Sequence, residues 1–182
     1  MNIFYLDENP RLAAIYQCDK HVVKMVTETA QLLSTAHRVL DGTEHFEKTA
    51  NGRKIRRWKL GDDRDYVLYK ASHVNHPSNQ WIREGALNYR WLYNHFVALS
   101  TEYNHRYGRT HASWNKLGSI LFNSPKNSEL TSTPIKLATG DLDLGDPVAT
   151  YRQYYRNKQE RFKMVWTNRN EPEWFYGEAK VH

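Results

Sequence analysis

Lys20, Lys24 and Glu28 follow one another at intervals of four, the spacing that makes side chains neighbours on one face of a helix. His21, Thr27 and Gln31 border or share that face. Two amines beside a carboxylate can do covalent chemistry. An amine crowded by a second cation gives up its proton more readily and can attack a carbonyl-like carbon, while the carboxylate steadies an oxocarbenium or moves a proton. The same spacing also suits a solvated face with an ordinary ion pair. A second cluster, His73-Val74-Asn75-His76-Pro77-Ser78, precedes an expected helix, whose free N–H groups beside Asn75 and His76 suit a phosphate or an oxyanion. A plain helix cap would use the same residues. The third pattern is basic and aromatic: Arg53 to Lys59 with Arg56, Arg57 and Trp58, then Tyr151 to Arg156, then Trp174-Phe175-Tyr176 through Lys180. Such segments neutralise phosphates and stack on bases, although the tyrosines of the second could equally fill a core.

The composition agrees with a basic, folded protein. The 182 residues carry 26 Lys and Arg against 20 Asp and Glu, a net charge of +6, with 6 Trp and 12 Tyr. A 40% hydrophobic content is too high for a disordered chain. The length suits one domain over residues 1–182. The single cysteine, Cys18, excludes an intrachain disulfide and points to a reducing compartment. No apolar run approaches a membrane span or a secretory leader, so the expected location is the cytoplasm. His73, His76, His105 and His111 lack the CxxC or HExxH spacing of a metal site. Neither a Walker loop, a GxGxxG nor a GxSxG is present, which excludes P-loop nucleotide hydrolysis. No metal and no cofactor is expected.

The elements that must position these residues are mainly helical. Asn9-Pro10 pairs an N-cap with a first-turn proline, and apolar residues at three and four from Leu12 predict one helix to about Leu40, stopped by Asp41-Gly42. Asp19 falls inside its apolar stripe, where a carboxylate needs a partner; a Tyr or His is expected. Residues 43–62 read as a loop. A second long helix is expected from Pro77-Ser78 to Gly108, a short segment from Trp114 to Phe122, a long loop over 125–145, and a last helix from Asp146-Pro147 through Phe162. The expected fold is thus mainly α, one compact domain of about four helices with long loops.

Three of these patches carry a resemblance. Lys20-His21 with Lys24, Glu28 and Gln31-Leu32-Leu33, then Asn75-His76-Pro77 with Trp81, then Glu102-Tyr103 with Arg106-Tyr107-Gly108, resemble the pattern of the pyrimidine-dimer DNA glycosylase (T-even phage endonuclease V-like) family. The tail from Trp174 to Lys180 is similar to that family's aromatic C-terminus, and Met1 to Arg38 resembles proteins of large tailed phages. The resemblance spans about half of the chain. It implies an all-α fold and a glycosylase with abasic-site lyase activity on damaged or modified pyrimidines in duplex DNA. An amine attacks C1′, the base leaves, and β-elimination nicks the strand.

By position, Glu28 would steady the cationic sugar, with Lys20, His21, Lys24 and His76 in the catalytic set. Asn75, Arg56, Arg57, Trp58, Arg106, Trp174 and Tyr176 would contact DNA. Two departures matter. The family uses the α-amine of a small residue exposed after Met removal, whereas Asn2 stands here and ordinarily leaves Met1 in place; the amine is then that of Met1, or Lys20, or Lys24. Val26 and Thr27 also stand where the family has an arginine before the glutamate. A DNA-binding accessory protein without chemistry, and an enzyme of modified nucleotides in a phage-infected host cytoplasm, remain as alternatives.

Overall fold

The computed structural model describes residues 1–176. The end of the aromatic tail, Gly177-Glu178-Ala179-Lys180, lies outside the described residues. Among the described residues the fold is mainly α with one small sheet, and its central element is a long helix buried on every side through much of its second half.

Where one helix is expected from residue 12 to 40, there are two, α1 (Pro10–Ile15) and α2 (Asp19–Asp41). The break comes from outside the segment. Cys18 is extended, its N–H donates to the Tyr155 hydroxyl at 2.8 Å, and the Asp19 N–H donates to the Val165 carbonyl at 2.8 Å. The local signals hold: Asn9 accepts from the N–H groups of Arg11 and Leu12, and Gly42 follows the last turn of α2. Val22, Met25, Val26, Ala30 and Leu33 form the apolar stripe. Beyond Gln31 the polar face closes over, and residues 32–38 are buried on every side.

Asp41 is followed by a hairpin rather than a loop, β1 (Thr43–Lys48) and β2 (Lys54–Lys59), antiparallel with Phe46 opposite Arg56 and Lys48 opposite Lys54. Its strands are mostly exposed on both faces, so no alternation marks them, but Asn51-Gly52, with Gly52 at φ 81°, is a hairpin turn signal. After α3 (Arg64–Val67) and a loop, the expected second long helix is also divided, into α4 (Pro77–Arg83) and α5 (Ala86–Tyr107). A turn at residues 129–131 crosses the joint, where the Ala86 and Leu87 N–H groups donate to the Glu129 and Thr131 carbonyls at 2.7 and 3.2 Å. A Cβ on Gly85 would stand 2.1 Å from the Thr131 oxygen, so only glycine fits there.

The chain continues through α6 (Ala112–Leu117), a 3₁₀ turn at Ile120–Phe122, the irregular stretch over 125–145, and α7 (Pro147–Lys158), which Asp146 caps by accepting from the Ala149 N–H. Helix α7 stops at Lys158, short of Phe162. Tyr151 and Tyr155 are wholly buried, so the tyrosines of this helix serve the core. Residues 1–6 are core as well: Ile3, Phe4 and Leu6 are covered. Asn2 pins them, its Oδ1 accepting from the Ile3 and Phe4 N–H groups at 2.7 and 3.1 Å and its Nδ2 donating to the Ala138 carbonyl at 3.0 Å. Phe4 takes φ 57°, a conformation that a bulky residue holds only where surroundings impose it.

Candidate functional site

The buried start of the chain ends against the polar face of α2. The Met1 ammonium lies 3.8 Å from Glu28 Oε2, and Lys24 Nζ lies 3.3 Å from Glu28 Oε1. Lys24 is open to solvent, whereas the Glu28 side chain is only 16% exposed. One carboxylate is therefore held between the α-amine and a solvent-exposed lysine. Lys20, one turn earlier, is exposed and sets its ammonium 4.4 Å from the Phe162 ring centroid.

The loop before α4 closes the other side of Met1. Asn79 Nδ2 donates to the carbonyls of Ser72 and His73 at 2.9 and 2.8 Å and lies 3.8 Å from Met1 Sδ. His76 caps α4, its Nδ1 accepting from the Ser78 N–H at 3.1 Å, which leaves the proton on Nε2. Burial lowers the His76 pKa; the Met1 ammonium and His73 push the same way, while Glu28 and the Met1 backbone oppose. The imidazole is neutral near pH 7 and shares its field with the amine and the carboxylate. Beside Glu28, Thr27 Oγ1, Ser113 Oγ and the Tyr69 hydroxyl form a chain of contacts at 3.2 and 2.9 Å. Tyr69 and Ser113 carry no sequence signal of their own, because only the packing of α6 and of the loop after α3 against α2 brings them there.

Next to this site runs a groove of about 860 Å³ between β2 and residues 71–75, lined by Arg53, Lys54, Arg56, Arg57, His73 and Asn75. Arg38, buried in α2, fixes its walls by donating to the carbonyls of Trp58, Asp65, Leu68 and Tyr69 at 2.7–3.0 Å and to Asp65 Oδ1 at 2.8 Å. Arg56 is exposed and pairs with Glu44 at 3.0 Å. Arg57 is half-buried and donates to the Ala71 carbonyl at 3.0 Å. Asn75 is exposed. The expected DNA contacts Arg56, Arg57 and Asn75 thus share one groove.

Other expected site residues are placed differently. Trp58 also borders the groove, but its ring is buried under Arg56, whose guanidinium carbon is 4.7 Å from the ring centroid; it anchors the hairpin and offers no free face to a base. His21 faces inward, stacked on Phe4 at 4.5 Å with Nδ1 2.8 Å from the Tyr155 hydroxyl. Burial, followed by Lys158, Lys24 and Lys20, lowers its pKa to about 3, so it stays neutral and holds the core. Arg106 is fully buried, its three donor nitrogens spent on Glu102 Oε1 at 2.9 Å, Asp19 Oδ1 at 3.0 Å and the Ile15 carbonyl at 3.0 Å. A guanidinium so committed has nothing left for a phosphate. It is also the partner of Asp19, together with Thr167, in place of the Tyr or His expected. Trp174 packs edge-on to Tyr16 and Tyr155, and exposed Tyr176 donates to Glu171; no contact of either, among the described residues, reaches Glu28 or the groove.

Among the described residues, no group of three His, Cys, Asp or Glu side chains is placed to hold a metal, and no helix is long and apolar enough to cross a membrane. Comparison with protein-family models, with curated proteins and with solved structures finds no match.

Proposed function

We propose that the protein is a DNA glycosylase with abasic-site lyase activity on damaged or modified pyrimidines in duplex DNA, with the Met1 α-amine as nucleophile and Glu28 as its carboxylate. The supporting observation is the 3.8 Å approach of the Met1 ammonium to Glu28 at a terminus folded into the core. Chain ends ordinarily fray, whereas this one packs its Met1 side chain and the side chains of Ile3, Phe4 and Leu6 against the core. Among the three amines left open by the sequence, Lys20 and Lys24 project into solvent, whereas the Met1 amine approaches Glu28 at a packed start of the chain.

In this reading the free amine attacks C1′ of an extruded nucleotide. The C1′–N bond breaks as the base departs with its electron pair and takes a proton, and Glu28 faces the positive charge that develops on the sugar. The amine then gives up a proton, the C1′–O4′ bond breaks with O4′ taking a proton to become the 4′ hydroxyl, and the ring-opened Schiff base forms. Removal of a C2′ proton then expels the 3′ phosphate, and water releases the amine. His76, neutral and beside Met1, is suited to carry one of these protons; Lys24 holds Glu28 and faces the backbone phosphates.

Borohydride trapping on abasic and ultraviolet-irradiated duplexes tests the reading. The expected result is a covalent adduct whose peptide map places the sugar on Met1 and which vanishes when two residues are added before Met1. Absence of an adduct from the unextended protein refutes it. A binding protein without chemistry is favoured by one observation, the groove's independence of Glu28; it predicts duplex affinity with no adduct.

A further inference from the structure

The β1–β2 hairpin carries more charge than packing requires. Residues 43–59 hold six Lys and Arg against two Glu, a surplus of four within a chain whose net charge is +6. Both acids are engaged, Glu44 by Arg56 and Glu47 by His45. The register places Glu44, Phe46 and Lys48 on one face with Trp58, Arg56 and Lys54. On that face Phe46 is 54% exposed, with Lys54 Nζ 4.0 Å from its ring centroid. An isolated exposed ring is common, but this one is ringed by cations on a protruding element. The root of the hairpin is rigidly tied, Trp58 buried with its carbonyl accepting from Arg38 and Arg57 donating to Ala71. Six-residue strands reach about 20 Å, and a two-stranded ribbon matches the roughly 12 Å width of the DNA major groove.

We infer that this ribbon enters the major groove of duplex DNA, with Arg53, Lys54 and Arg56 on backbone phosphates and the Phe46 ring against the 5-methyl group of a pyrimidine. The inference rests on the DNA reading above but not on its chemistry. Phenylalanine has no donor or acceptor for a base edge; the pyrimidine 5-methyl is the apolar group that the major groove presents to it. The cations around the ring supply affinity without sequence preference.

Two duplexes of identical G·C-rich sequence, one with cytosine and one with 5-methylcytosine, separate the contributions. The wild-type protein should bind the methylated duplex about threefold to fourfold tighter for each methyl covered, and Phe46→Ala should erase that preference. Arg53→Gln with Lys54→Gln should lower the slope of log affinity against log salt by about two while the preference persists. Circular dichroism and melting check that these exposed positions leave the fold intact. Equal binding of the two duplexes by the wild type, or an unchanged preference in Phe46→Ala, overturns the inference even if borohydride adducts form. Methyl preference without any adduct sustains the ribbon and refutes the glycosylase. Loss of all salt-dependent duplex binding in the wild type refutes both.

Discussion

Arg56 and Arg106 both stand among aromatic residues in basic surroundings, and in sequence they look alike. In the fold they are opposites. Arg106 is enclosed with Asp19 and Glu102, and Glu102 also takes Arg169 at 2.8 Å. Arg56 lies open, and the acidic groups of its hairpin are outnumbered three to one. A guanidinium is available to a phosphate where the fold has not enclosed it among carboxylates and carbonyls; Arg56 meets the single carboxylate of Glu44 at the surface and stays exposed. Counting cations along a chain measures net charge, and their partners decide where that charge is felt.

Acid should separate the two regions most strongly. His21, His37 and His95 are buried, and burial lowers their pKa values to about 3, about 4 and about 4. The unfolded chain, with ordinary histidines near 6.5, binds more protons below that pH, so stability is full above about 6.5 and falls as the pH drops toward 4. Each histidine contributes a loss of about 1.4 kcal/mol per pH unit in that window. Urea melts at pH 7, 6 and 5 should show the steep decline, and a flat profile would remove the buried histidines as its cause. The hairpin's exposed cations should play no part in it.

Arg106→Met comes next. It leaves Asp19 with Thr167 but no cation and halves the support of Glu102, and breaking one side of such a buried network costs about 3–5 kcal/mol. Melting temperature should fall steeply, while duplex affinity of the folded fraction stays unchanged. A loss of affinity without a loss of stability would break the contrast drawn here.

Glu28 stands between the two regions, paired like the carboxylates of Arg106 yet reachable like the ribbon. Glu28→Gln keeps its shape and removes its charge, so base excision should slow on the order of 10²-fold or more. Duplex affinity should hold or tighten slightly, and stability should change by less than about 1 kcal/mol because Lys24 is solvated. Normal excision by this variant would take the carboxylate out of the mechanism. The smallest effect belongs to Arg56→Gln, with stability within about 1 kcal/mol of the wild type and a salt slope lower by about one; an unchanged slope would take Arg56 off the phosphates.

What was legible beforehand was local. Asn9-Pro10, Asp41-Gly42 and Asp146-Pro147 mark helix ends because a cap is a matter of a few neighbouring residues. The Lys24–Glu28 pair follows from helical spacing alone. The breaks at Cys18 and Gly85 escaped because Tyr155 and Thr131, far away in the chain, impose them. The hairpin escaped because its strands face water on both sides, leaving Asn51-Gly52 as their only local mark. Arg106 looked available because Asp19 lies 87 residues away, and the closeness of Met1 to Glu28 depends on Asn2 reaching Ala138.

That last contact bears on how the molecule is made. Residues 1–6 find their place against Ala138, Tyr155 and the start of α4, all synthesised later. At about 5–20 residues per second, the opening segment waits many seconds before the cleft that receives it exists. Its closing contacts span most of the chain, which places them among the slow, non-local steps of folding. The amine and the carboxylate therefore meet late, after the helices have assembled, and a chain stalled before residue 138 would leave Glu28 with Lys24 alone.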